Sequence, residues 1–200
     1  MSRRSGVLLF VGLATMWGLS FPAISVGLAD LPPVLFAAFR YDVASVLLLA
    51  YVALTAEPPD RLPTERRDVV AVLAGGGFLV APNALLFVGQ QTVPSGVAAI
   101  LQGLVPIATT LWALLLLDER LTGVGAAGVL LGFVGVGLVV RPDPSNLFAS
   151  DLLGKFYILV QVTFVSLGGV LVDRAGPTIP RSALTGWAMG LGGLLLHAGS

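Results

Sequence analysis

Arg40 and Asp42 stand two residues apart in FAAFRYDVASVLL, a run otherwise built of apolar and small residues and one tyrosine. An ionisable side chain at membrane depth is expensive and marks a functional site by default. Residues two apart on a helix point about 200° apart, so these two are expected not to form a local ion pair. Arg40 lies about 10 Å along the axis from Pro33, a depth from which it serves either a cavity or a structural tie to a backbone carbonyl or another helix. In a cavity it suits an anionic or zwitterionic solute. For Asp42 the expected partner is a Ser or Asn on a neighbouring span.

The other polar groups in apolar surroundings are amides and hydroxyls. Asn83 and Gln90 are seven apart, on one helical face, and Gln102 precedes Pro106 by one turn. A buried amide needs several hydrogen-bond partners, which makes it informative. Ser20 and Ser25 flank Pro22, with Trp17 and Phe21 beside them. A serine can bond its own helix backbone, and Trp17 serves equally as packing or as the wall of a binding site. Pro22, Pro82 and Pro106 each remove a backbone hydrogen bond, producing either a simple kink or the lining of a cavity. The candidate substrate-binding residues are therefore Trp17, Ser20, Phe21, Arg40, Asn83, Gln90, Gln102 and Pro106.

Bond-making chemistry has little to stand on. The single histidine, His197, falls near the end of the 200 residues with no evident partner, and there is no cysteine. HExxH, GxSxG and P-loop motifs do not occur. No catalytic residue, metal site or cofactor is expected, and the chain is read as a non-enzyme.

The elements that hold these residues are set by composition. The chain is 56% hydrophobic and 11% charged, with mean hydropathy +0.94, against about 25% charged residues in ordinary globular domains. This is an integral membrane protein whose first partner is the lipid bilayer. A formal net charge of zero argues against a nucleic-acid partner, which wants a basic face. Crossing the hydrocarbon takes about 20 apolar residues. Seven spans follow, near Val7–Leu28, Pro33–Leu54, Val69–Gly89, Ser95–Leu117, Thr122–Val140, Leu152–Val172 and Ser182–Gly199. The first is too long for a signal-peptide core and is read as a helix that stays.

Charge asymmetry orients the spans. With the N-terminus cytoplasmic, the inner segments hold Arg3, Arg4, Arg61, Arg66, Arg67, Arg120, Arg174 and Arg181; the outer ones hold Arg141 and Lys155, and Arg40 is embedded. Eight of eleven basic residues thus lie inside, predicting a multi-pass plasma-membrane protein with a cytoplasmic N-terminus. In the fifth span Gly125, Gly128, Gly132 and Gly135 share a face and are expected to serve close helix packing.

A displacement of 148 positions brings Gly6 onto Gly154, Thr15 onto Thr163, Pro32 onto Pro180 and Leu47–Leu48 onto Leu195–Leu196. Five spans intervene, so the second copy enters the membrane from the opposite side, as in the inverted repeats of secondary transporters.

The stretches TMWGLSFPAIS, FRYDVASVLLL and VAAILQGLVPIATTLWALLLLDERLTGVGAAGVLLGFVGVGLVV carry a recognisable pattern. In them the chain resembles the EamA family of the drug/metabolite transporter superfamily. The resemblance implies ten helices in two inverted repeats that move small metabolites, often outward, without ATP. Residues 6–140 look like one complete five-helix repeat and 152–200 like the first two helices of a second. Arg40 then corresponds to Ala188 and is not duplicated. Glu119 matches an acidic residue of the pattern and is read as pairing with Arg120 or capping the fifth helix. The expectation is an all-α polytopic membrane protein, a secondary transporter and exporter of small organic metabolites working by alternating access. The alternative is a truncated, non-transporting membrane subunit or scaffold. If the chain is complete at 200 residues, partner helices or a homodimer supply the missing spans.

Overall fold

The structure, a computed structural model, describes residues 3–117, 122–140 and 150–200. Glu119, Arg120 and Arg141 lie outside the described residues. Helices occupy all seven regions that the apolar runs mark: α1 (Arg3–Gly27), α2 (Pro33–Thr55), α3 (Arg66–Ala74) continued by α4 (Asn83–Gly89), α5 (Ser95–Gln102) continued by α6 (Val105–Leu116), α7 (Gly123–Val140), α8 (Ser150–Ala175) and α9 (Arg181–Ala198). Five stretches are long and apolar enough to cross a membrane: Ser5–Gly27, Pro33–Thr55, Arg66–Gly89, Ser95–Leu116 and Asp151–Ala175. A shorter apolar helix covers Gly123–Gly135, and α9 has 18 residues. No strand occurs among the described residues. This is an all-α polytopic membrane fold.

Two of the three prolines coincide with breaks. Ahead of Pro82, residues Gly75–Val80 widen into a π-helical turn in which the Ala81 amide donates to the Gly76 carbonyl at 2.9 Å. A π turn accommodates the ring and the lost donor by spreading the strain over one extra residue. In the fourth span the break falls at Gly103–Leu104, and Pro106 sits in the first turn of α6, where its missing N–H costs nothing. Pro22, by contrast, lies inside an uninterrupted α1.

The third span, α3 through α4, is the centre of the packing. Its glycines let other backbones approach: a Cβ on Gly75 would lie 2.8 Å from that of Ala188, and one on Gly76 2.8 Å from Leu191. Gly168 of α8 rests on the Phe78–Leu79 backbone, and Gly89 faces Gly154. Rising numbers in the third span thus meet rising numbers in α9 and falling numbers in α8, so α9 runs parallel to it and α8 antiparallel. Along α2, Leu49 meets Gly186 and Ser45 meets Gly190, which makes α2 and α9 antiparallel. Ser45 also donates its hydroxyl to the Gly186 carbonyl at 2.9 Å. Lipid offers no hydrophobic drive between helices, so small residues and such bonds hold spans together.

The glycine stripe expected to pack, on α7, does so closely at Gly132 and not at Gly128 or Gly135. A Cβ on Gly128 or Gly135 would meet nothing within 4 Å among the described residues, and one on Gly132 meets only Ile107. The stripe that packs is Gly186, Gly190 and Gly193 on α9. Spacing makes a smooth face, but only a neighbouring helix makes an interface, and α7 touches the rest mainly through α5 and α6.

Candidate functional site

Three described spans contribute one amide each to a continuous chain of hydrogen bonds. Gln102 of α5 donates its Nε2 to Oε1 of Gln161 in α8. Gln161 donates its own Nε2 to Asn83 Oδ1 at 3.2 Å. Asn83 then donates to the carbonyls of Leu79 and Val80 at 2.6 and 3.2 Å, at the π turn. Gln102 and Gln161 are buried. All donors run in one sense, so each bond polarises the next. Gln161 is absent from the sequence-derived candidates, although the signal that marks Asn83 and Gln102, an amide in an apolar span, marks it equally.

The carbonyls at the end of this chain belong to a cavity wall. Leu79 and Val80 line a cavity of about 560 Å³ between α2, the third span and the α8–α9 corner. Tyr41, Asp173, Arg181, Thr185 and Met189 line it as well. Asp173 and Arg181 form no ion pair with each other, which leaves a carboxylate and a guanidinium on one cavity. Two further cavities exist. One of about 550 Å³ lies between α2, α3 and α9, with Asp42 and Ser45 in an otherwise apolar lining. The other, about 350 Å³, lies between α6, α7 and α8.

Of the eight candidate residues, none lines these three cavities. Asn83 and Gln102 act from behind the wall of the first. Trp17 faces outward on α1 and Ser20 donates to the Trp17 carbonyl at 2.6 Å, satisfying its own helix. Phe21 is buried, and its carbonyl accepts a long 3.5 Å bond from Gln90 Nε2. The Gln90 Oε1 is buried without a partner among the described residues. Pro106 is exposed at the start of α6.

Arg40 and Asp42 are separate, as their spacing requires. The Arg40 guanidinium lies over the rings of Phe87 and Tyr41, 5.8 and 5.9 Å from their centroids, a cation–π seat that tolerates low dielectric. The expected serine or asparagine partner of Asp42 is replaced by the histidine expected to have none: His197 Nε2 lies 2.6 Å from Asp42 Oδ2. The reason is antiparallel α2–α9 packing, which local sequence does not reveal. Sequence reading also passed over Asp68. Buried at the start of α3, its carboxylate accepts the Thr178 amide at 2.6 Å, the Thr178 hydroxyl at 3.0 Å and the Ile179 amide at 3.3 Å.

Spans interrupted at Gly75–Val80 and at Gly103–Leu104, with a cavity beside the first that carries a carboxylate and a guanidinium, suit a membrane transporter. The family model described as the EamA-like transporter family matches residues 4–141, and the chain belongs to that family. It is 27% identical to an "Uncharacterized transporter" of Archaeoglobus fulgidus over 92% of this chain and 63% of that protein. It is 28% identical to the "Uncharacterized inner membrane transporter YedA" of Escherichia coli over 87% of this chain and 54% of the relative. With a "Probable amino-acid metabolite efflux pump" of Escherichia coli it shares 31% identity, over 85% of this chain and 54% of that protein. The chain thus spans 54 to 63% of the length of these relatives. No solved structure matches it.

Proposed function

We propose that the chain belongs to a secondary carrier that exports small organic metabolites, amino-acid-like zwitterions foremost, by alternating access between inverted repeats. The observation that carries this reading is the cavity of about 560 Å³ on which Asp173 and Arg181 stand without an ion-pair partner among the described residues. A zwitterion brings an ammonium for the carboxylate and a carboxylate for the guanidinium, and its side chain meets Leu79, Val80 and Met189. Tyr41 and Thr185 add hydroxyls. The name of the efflux pump relative supports the same solute class. The repeats are residues 6–140 and 152–200. Support for their inversion comes from α2 and α9, which correspond under the 148-residue displacement and run antiparallel.

The test is counterflow of radiolabelled L-amino acids into liposomes holding the full chain. Saturable uptake that falls at least tenfold in Arg181→Ala and Asp173→Asn supports the reading. Uptake equal to protein-free vesicles, from protein shown to be folded, refutes it. The cytoplasmic N-terminus is read from the excess of arginine on one side. With no native cysteine, a single cysteine at Asp60 reports its side. Labelling of intact cells by an impermeant maleimide would reverse the orientation.

A further inference from the structure

The cavity of about 550 Å³ between α2, α3 and α9 has no part in solute binding as proposed above. Its lining carries three polar groups, and each already has a partner. Ser45 donates to the Gly186 carbonyl at 2.9 Å, Asp42 Oδ2 lies 2.6 Å from His197 Nε2, and Trp187 Nε1 donates to the Arg61 carbonyl at 2.8 Å. The rest of the lining is valine, leucine, proline and glycine. Such walls suit hydrocarbon and leave no free polar group to orient a water-soluble solute. The cavity is also a groove. Val46 of α2, Val69 and Leu73 of α3 and Leu194 of α9 line it and are exposed, so its outer side is open at membrane depth.

The two ends of the groove differ. Leu49 of α2 meets Gly186 of α9 at one end and Asp42 meets Gly193 at the other, a length of about 10 Å along either helix. The Leu49 end reaches the aqueous edge, where Pro63 of the α2–α3 loop joins the lining and the Trp187 indole is tied to that loop. Tryptophan favours this depth in a bilayer. A cation stands at the same end. Arg66 opens α3, three residues before Val69 and seven before Leu73, so it lies on the helix face that lines the groove. It is exposed and has no ion-pair partner among the described residues. The acidic residues on either side of the Arg66–Arg67 pair are engaged elsewhere, Glu65 with Arg67 at 2.8 Å and Asp68 with Thr178. Glu57 and Asp60 stand beside Arg61 in the preceding loop, which leaves Arg66 as the cation set on the groove itself.

We infer that the groove is a binding site for one anionic phospholipid, with an acyl chain along Val69, Leu73 and Leu194 and the phosphate on the Arg66 guanidinium. The planar fork of arginine matches two phosphate oxygens. Concave walls from three helices and a fixed cation at one end distinguish this position from lipid that merely bathes the bundle. With the N-terminus cytoplasmic, the Arg66 end lies at the inner leaflet, which is the negatively charged one. The choice of leaflet rests on that proposed orientation; the binding does not.

Trp187 stands in the groove wall and reports its occupant. Trp17→Phe and Trp112→Phe leave it as the sole tryptophan. The full chain is reconstituted in phosphatidylcholine vesicles, both leaflets alike, with a small share of either phosphatidylglycerol or phosphatidylcholine brominated in the acyl chains. Bromine quenches an indole that it touches, so quenching reads which lipid fills the groove. Brominated phosphatidylglycerol is expected to bind about fivefold tighter than brominated phosphatidylcholine, the effect of one arginine at a membrane surface. That preference should vanish in Arg66→Gln and persist in Arg66→Lys, which keeps the charge. Equal quenching by the two lipids overturns the site, as does a preference indifferent to Arg66→Gln. Excess glycerol 3-phosphate, a headgroup without chains, should leave the preference intact; its loss would make a soluble phosphate the ligand and overturn the lipid assignment. Native mass spectrometry of the unaltered chain reads the site without the tryptophan substitutions. One retained phosphatidylglycerol per chain is expected, lost in Arg66→Gln, whereas a lipid-free dimer would give the groove to a second copy and overturn the inference.

Discussion

The Asp68 carboxylate and the Thr178 backbone amide are 110 residues apart in sequence and 2.6 Å apart in space. One buried side chain at the start of α3 thereby holds the corner between α8 and α9, taking the Thr178 hydroxyl and the Ile179 amide as well. Beside it, Val52, Ala71, Ile179, Ala183 and Leu184 form an apolar cluster that fixes the start of α9.

Replacing Asp68 by alanine is expected to destabilise the fold by about 2–3 kcal/mol, because hydrogen bonds to a charged acceptor are lost and buried donors are stranded. Thr178→Val removes the hydroxyl and keeps the amide, so its cost should be less than half as large. Thermal unfolding in detergent followed by tryptophan fluorescence measures both. Equal effects of the two substitutions would contradict the assignment.

The amide chain and the lone Gln90 lead to opposite expectations for the same substitution. Gln161→Leu strands the Gln102 donor and the Asn83 acceptor and should cost about 1–2 kcal/mol. Gln90→Leu removes an acceptor that has no partner among the described residues and breaks only a 3.5 Å contact; it should be neutral or stabilising by up to about 1 kcal/mol. Because Asn83 braces the Leu79 and Val80 carbonyls, Gln161→Leu should also lower amino-acid counterflow, whereas Gln90→Leu should not. Chemical denaturation and the liposome assay together read the contrast.

Glycine substitutions separate the two stripes. Even a Cβ on Gly190 would stand 2.9 Å from Ser45 Oγ, so Gly190→Leu forces α2 off α9 and should cost about 1–3 kcal/mol. Gly128→Ala in α7 meets open space and should gain up to about 1 kcal/mol from lower backbone entropy in the unfolded chain. Matched melting curves settle the pair.

Arg40→Ala is expected to abolish transport of anionic and zwitterionic solutes, while Arg40→Lys retains part of it. A lysine keeps the charge and attraction to the rings but lacks the flat guanidinium that stacks on Phe87 and Tyr41. Tyr41 also lines the polar cavity, which is the route by which a residue outside the lining acts on the solute. Unchanged counterflow in Arg40→Ala would reduce the residue to packing.

Apolar run length determines where a span can lie, so all seven helical regions stand within four residues of their expected ends. The separation of Arg40 from Asp42 was equally legible, being a matter of helix pitch. Partners were not. Asp42 and His197 are 155 positions apart, and Asp68 bonds a loop 110 positions away; neither pairing leaves a trace in local pattern. The same limit explains the glycines, since α7 and α9 carry similar spacings and only α9 has α2 against it. Gln161 was legible by the amide rule, but its role as the middle link depends on three helices meeting.

The line of Gly186, Gly190 and Gly193 under Leu49, Ser45 and Asp42 has a mechanical meaning. Helices that mesh side-chain ridges into grooves resist sliding, as gears do. Here one partner offers an almost toothless track, so α2 can glide along α9 over small steps with little steric friction. The Ser45–Gly186 and Asp42–His197 bonds are the two catches on that rail.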